Sequence, residues 1–172
     1  MRRQSLFVHL VAGVAGGLAG SFAMERYQRA LGRISSDLGG APGAGGQQYR
    51  QPQSEPSTYV AADVVSRAAT GVALRPQDKP LGGSIVHYAF GATIGGLYGV
   101  LAARRPDTAA GLGLPFGAAV WMTADEIGMP ALGLAKRPAA YPLTDHLSAL
   151  TAHLVFGAVM ESVRRLMVTQ RR

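Results

Sequence analysis

Residues Gly82–Ala103 read GGSIVHYAFGATIGGLYGVLAA, with no Lys, Arg, Asp or Glu among them and one histidine, His87, inside. About 20 apolar residues suffice to cross the hydrocarbon core of a bilayer. Three further stretches have the same character: Leu6–Met24, Ala109–Leu134 and His146–Val163. Asp125, Glu126 and His153 lie within the latter two, not beside them. An ionisable group in hydrocarbon costs at least ~2.5 kcal/mol at the bilayer centre, so it normally turns toward a partner. The expectation is an all-α fold, a four-transmembrane-helix bundle with an additional amphipathic helix in the long first loop.

Composition agrees with lipid better than with a water-soluble core. The chain of 172 residues suits one domain, and its 23 glycines concentrate with alanine in the apolar stretches. Small residues let helix backbones approach closely in membranes. The net charge of +7 invites a nucleic-acid reading. The basic residues sit mostly at the ends of apolar stretches, without interleaved aromatics, so no nucleic-acid partner is expected. The chain has no cysteine, which excludes disulfides, thiolate metal sites and a cysteine nucleophile.

The expected helices cover approximately 5–24, 82–103, 109–134 and 145–167. In the first, Gly13/Gly17 and Gly16/Gly20 make two G-x-x-x-G registers, read as a dimerisation or packing face. The rival reading is a signal peptide with Ser21-Phe22-Ala23 as its cleavage site. Glu25–Leu38 continues the first helix, with Arg26, Arg29 and Arg33 on one side. A flexible linker rich in Gly, Pro, Gln and Ser is expected over 39–57. An amphipathic helix over 58–74 follows, with an apolar stripe of Val60, Val64, Ala68 and Val72 and an exposed Asp63/Arg67 pair, ended by Pro76 and Pro80. Gly91, Gly95 and Gly99 form a glycine zipper on the second span, and Gly117 and Gly157 offer small contact points on the third and fourth. Pro115 is expected to bend the third span, and a break is expected near Gly128 and Pro130.

Four crossings put both termini on one side, with Arg2, Arg3, Arg104, Arg105, Arg164, Arg165, Arg171 and Arg172. The positive-inside rule makes that side cytoplasmic. At ~1.5 Å per residue, His87 then lies roughly 8 Å below the outer surface, and Glu126 and His153 roughly 12 Å below it. His146 stands two turns before His153 on the same face. The expected constellation is an intramembrane polar cluster of His87, Asp125, Glu126, His146 and His153. Asp125 and Glu126 are adjacent, so only one can point squarely at a single neighbour. Glu161 with Arg164 and Arg165 reads as an ion pair at the cytoplasmic end. No phosphate loop, dinucleotide fingerprint, H-E-x-x-H or nucleophile elbow appears, so no cofactor, catalytic residue or metal ligand is assigned.

Three groups of strings carry a resemblance. One is Val86-His87-Tyr88-Ala89-Phe90-Gly91 with Gly96-Leu97-Tyr98-Gly99. The second runs from Gly113 to Trp121, then Ala124-Asp125-Glu126 and Pro130-Ala131-Leu132-Gly133-Leu134. The third is Tyr141-Pro142-Leu143, His146, His153-Leu154-Val155, Glu161 and Arg164-Arg165. Together, over roughly residues 58–168, they resemble the YagU-like family of bacterial inner-membrane proteins of unknown function. The resemblance implies a small multi-pass protein of the bacterial cytoplasmic membrane. It implies polar positions at His87, His153, Glu161 and the arginine pair. Asp125 departs from members that carry histidine there.

The first functional reading is a non-enzymatic, glycine-packed bundle with a structural, partner-binding or envelope-homeostasis role, its partners being the bilayer and a second copy or another membrane protein. The alternative is a proton- or ion-handling transporter using the His/carboxylate cluster. An intramembrane metal-dependent enzyme is the third.

Overall fold

The computed structural model describes residues 5–37 and 55–169. Among them every regular element is helical. The linker expected over 39–57 falls outside the described residues up to residue 54, as do Arg2, Arg3, Arg171 and Arg172.

Helix α1 (Leu6–Asp37) is 32 residues long. At 1.5 Å per residue it reaches about 48 Å, well beyond a hydrocarbon core of about 30 Å. Arg26, Arg29 and Arg33 therefore ride on an uninterrupted extension of the apolar part. Helix α2 (Ser57–Thr70) stops at Gly71, whose φ of 76° is left-handed, a conformation glycine adopts without steric cost. The helix is thus shorter than expected, and the prolines do not end it. Pro80 instead occupies the first turn of α3 (Lys79–Arg104), where a missing N–H costs nothing. The start of α3 accordingly precedes Gly82.

The face of α2 also differs from its apolar periodicity. Ser57, Thr58 and Ala62 are its buried residues, while Val64, Ala68 and Val72 are exposed. The reason lies in α3. A Cβ at Gly83 would meet the Tyr59 ring and Thr58 Oγ1, and one at Gly82 would meet Leu74 and Ala62. The two glycines make room for Tyr59, Thr58, Ala62 and Leu74, and Val64 and Val72 are left outside. The expected Asp63/Arg67 pair is present, Arg67 Nε donating to Asp63 Oδ2 at 2.9 Å.

The third apolar stretch is not one α-helix. Pro106–Gly113 forms a 3-10 stretch in which Gly111, Leu112 and Gly113 all have positive φ. An α-helical ladder cannot run through three such residues. Helix α4 (Leu114–Val120) starts after them, with Pro115 in its first turn, so that proline starts a helix instead of bending one. A π-helical segment, Trp121–Gly128, and a short α5 (Met129–Ala131) complete the rod. Where a break was expected, the chain widens its turn. Pro130 has no N–H to donate, and in an α-helix its ring would clash with the carbonyl of Glu126; the wider upstream turn relieves that conflict. Helix α6 (Leu143–Thr169) follows a 3-10 turn at Pro138–Ala140.

Close backbone contacts set the arrangement. A Cβ on Gly13 would collide with the Gly95 carbonyl, and one on Gly17 with the Gly91 carbonyl. Gly99 lies against His9 and Gly13. The second register of α1 serves α6: Gly16 abuts Met160, and Gly20 abuts Phe156. Both glycine faces are thus occupied within the chain, which is the packing alternative of the two read for them and not the dimerisation one. Gly113 and Gly117 meet Gly157 and His153 in the same manner. In each pair one number rises as the other falls, so α1 is antiparallel to α3 and α6, and α4 is antiparallel to α6. The bundle runs up-down-up-down. One end carries the start of α1, Arg104, Arg105 and the end of α6. The other carries the end of α1, α2 and the connection into α6.

Two helices, α1 over Leu6–Ser35 and α3, are long and apolar enough to cross a membrane. The core is apolar, built around Met24, Tyr98, Phe156 and Met160, and it also encloses charged groups. Asp125, His153, Glu161 and Arg164 are buried, whereas Phe7 (70% exposed), Phe22, Ile85, Leu97 and Leu147 face outward.

Candidate functional site

The π-helical segment decides which acid meets which histidine. Asp125 points into the bundle and is 7% exposed. Its Oδ2 lies 3.8 Å from His153 Nε2, beyond hydrogen-bond range, and has no other partner. His153 is held by its opposite nitrogen, Nδ1, which is 2.9 Å from the Ala149 carbonyl. A carbonyl only accepts, so Nδ1 carries the hydrogen. In the neutral ring, Nε2 then presents a lone pair to the Asp125 carboxyl group. Two lone pairs facing each other repel, so a hydrogen must come between them, carried by the carboxyl group, by Nε2 or by a bridging water.

Glu126 faces the other way. Its Oε1 is 2.7 Å from His146 Nδ1, while His146 Nε2 is 3.2 Å from the Pro138 carbonyl. Proton donors on both ring nitrogens satisfy a carboxylate and a carbonyl together, which makes an imidazolium–carboxylate pair. This pair ties the rod to the start of α6, and the Pro138 carbonyl adds the connection preceding it.

The five residues expected as one cluster therefore separate into two pairs and a single histidine. His87 pairs with neither acid. Its Nε2 is 3.4 Å from the Ser21 carbonyl, and its ring stands edge-on to Tyr88 at 5.5 Å between centroids. It lines the same inner cavity as Asp125 and His153, a space of about 60 Å³ walled elsewhere by Met24, Phe90, Val120 and Phe156. Ser21 also lines that cavity, and its Oγ is buried without a partner. The sequence reading missed Ser21 as a site residue. The available signal was its place one turn after Gly17 on the packed face of α1.

Just outside lies a larger, open vestibule of about 280 Å³, lined by Glu25, Arg29, Tyr59, Ser84 and Tyr88 among others. Tyr88 donates its hydroxyl to Glu25 Oε2 at 2.7 Å, and Arg29 pairs with the same carboxylate.

The far end holds a different arrangement. Glu161 is fully buried (0% exposed). Arg164 reaches it through Nε and Nη2 at 2.6 and 2.8 Å, and Arg165 through Nε at 2.5 Å. Arg165 Nη2 also donates to the Ala109 carbonyl at 2.7 Å, and the Arg164 guanidinium sits 5.9 Å from the centre of the Tyr98 ring. The expected ion pair is thus a three-residue clamp joining α6 to α3 and to the entry into α4. Among the described residues, no three His, Asp or Glu side chains converge as a metal-ligand set.

Residues 53–162 match the family model described as protein of unknown function (DUF1440), which covers α2 through the polar site to Glu161. The match is consistent with the YagU-like resemblance. No curated protein and no solved structure matches the chain.

Proposed function

The chain belongs to DUF1440, a family of proteins of unknown function, and for this member we propose a non-enzymatic, proton-handling role in a membrane, with Asp125 and His153 as the proton-binding pair. The observation that carries the reading is the geometry of that pair. A carboxyl oxygen without a hydrogen-bond partner and the free nitrogen of a buried imidazole face each other at 3.8 Å beside a small inner cavity. Histidine beside a carboxylate is a standard proton-relay element of membrane proteins.

The proposal includes four crossings in the bacterial cytoplasmic membrane, with both termini cytoplasmic. α1 and α3 supply two. The α4–π–α5 rod, residues 114–131, is helical throughout and about 27 Å long. Its change of helix type divides it into pieces that are individually too short to cross. α6 has 27 residues, and its charged groups are turned inward or lie at its ends. The large apolar side chains facing outward on all four rods support lipid as their surroundings. Arg104, Arg105, Arg164 and Arg165 mark the cytoplasmic end.

The test is purified protein in liposomes loaded with a pH-sensitive dye and driven by a potassium diffusion potential. Proton flux is expected from the parent chain and is expected to vanish in Asp125→Asn and His153→Gln. Unchanged flux in both variants, or none in the parent, overturns the reading. A structural or partner-binding role is the second reading, favoured by the Glu161 clamp and the closely packed glycines. It predicts normal assembly and no flux in every variant.

A further inference from the structure

Two cavities share a wall. The inner one contains the unpartnered Ser21 Oγ and Asp125 Oδ2. The outer vestibule opens at the α2 end of the bundle, between the end of α1 and the start of α3. Two residues, His87 and Thr58, line both spaces. Thr58 is a buried residue of the first turn of α2, so the start of α2 borders the passage between them.

The opposite direction is closed. Beyond the inner cavity the α1 and α3 backbones touch at Gly13, Gly17, Gly91 and Gly95. Tyr98 and Met160, each 0% exposed, fill the bundle below, and the Glu161 clamp closes its end.

A buried polar atom left unpaired is unfavourable. Buried waters relieve that cost where a polar space gives them two to four partners. Here the partners are Ser21 Oγ, Asp125 Oδ2 and His153 Nε2. The 3.8 Å gap between the last two is too long for a direct bond and suits a molecule bridging them from the side.

We infer that the inner cavity is a water-binding chamber, hydrated from the α2 end alone through a throat formed by His87 and Thr58. This deepens the proton-handling reading and rests on it for its purpose. A proton bound at Asp125 exchanges with water on the α2 side, and any release to the other end requires the glycine-lined contacts to move. Glu25 and Arg29 border the vestibule, and Glu126 is the neighbouring acid on the rod, turned away toward His146.

The chain has no native cysteine, so single-cysteine variants of the full protein report access directly. Ser21→Cys and Met129→Cys, both on the chamber wall, probe the chamber, Ser84→Cys the vestibule and Arg105→Cys the opposite end. Ag⁺, a thiol reagent small enough to follow water, is applied to spheroplasts and to inverted membrane vesicles. Thiols left unreacted are then counted by alkylation after solubilisation. Ser84→Cys and Arg105→Cys identify which preparation exposes each end. Both chamber cysteines are expected to react from the Ser84 side at least ~50-fold faster than from the Arg105 side, as an ion excluded by hydrocarbon and packed backbone requires. Adding Thr58→Trp is expected to slow the chamber reaction and leave Ser84→Cys unchanged. Equal rates from both sides, or inert chamber cysteines beside a reactive Ser84→Cys, overturn the inference. If the chamber reacts as expected while Asp125→Asn retains full proton flux, the chamber stands and the proton-handling reading falls.

Discussion

Replacing Glu161 by glutamine keeps its size and removes its charge. The carboxylate is wholly buried and accepts from Arg164 twice and from Arg165 once. Arg164 has a side chain only 9% exposed, whereas Arg165 is half-exposed. In the variant the Arg164 guanidinium stays in the bundle with no counter-charge. Breaking one side of a buried pair costs about 3–5 kcal/mol. Arg165 can rehydrate, so its share is that of an exposed pair, about 0–1 kcal/mol. The expected loss for Glu161→Gln is therefore about 3–5 kcal/mol, nearly all of it through Arg164. Arg165→Gln should lose much less. The double variant Glu161→Leu/Arg164→Met should regain most of the loss, because apolar groups of similar volume replace a buried pair at little net cost. The assay is reversible unfolding in mixed micelles titrated with dodecyl sulfate. Helix content gives one signal and Trp121, the single tryptophan, gives another. A Glu161→Gln variant within about 1 kcal/mol of the parent would refute the reasoning, since no buried pair this complete should be so weak. So would a double variant no more stable than the single one.

Gly95→Ala places a methyl group against the Gly13 carbonyl and the Gly17 backbone; overpacking of this kind costs about 1–3 kcal/mol, read in the same titration. Glu126→Gln leaves His146 without its anion and is expected to loosen the connection before α6 by about 1.5–3 kcal/mol, the worth of a hydrogen bond to a charged group. The check is faster amide exchange over residues 136–146 than in the parent. Asp63, outside the bundle on α2, is held below its ordinary value of 3.8 by the Arg67 side chain and then by the Leu74 N–H. A depressed carboxylate adds stability that is fully present above its unfolded value and lost as pH falls through the folded one. The tie between α2 and Leu74 is therefore expected to persist at neutral pH and release below 3.8. Protection of the Leu74 amide, corrected for intrinsic exchange, reports it, and Asp63→Asn should abolish the pH dependence.

The all-α class, the extended first helix and the glycine contacts were legible because each rests on a short-range pattern. Gly13 and Gly17 stand four residues apart on α1, as Gly91 and Gly95 do on α3, which places each pair on one face of its helix whatever surrounds it. The Glu161 arginine pair was legible for the same reason. A single local signal is ambiguous. Proline can end or bend a helix, but Pro115 and Pro80 each stand in a first turn, where proline is harmless. The valine stripe of α2 predicted a buried face by periodicity, yet Gly82 and Gly83 of another helix select Ala62, Thr58 and Tyr59 instead.

By itself the sequence determined that apolar helices would carry a few titratable groups inside them, since composition and periodicity need no partner to be read. Tertiary structure alone decided that Asp125 meets His153 while Glu126 meets His146. Adjacent residues diverge according to the local helix type and the direction of the neighbouring rod. The π-helical turn that sets this divergence accommodates Pro130, and the position of α6 depends on Gly113 and Gly117 reaching Gly157. Such contacts join residues about 40 positions apart, and no window on the chain contains both sides of them.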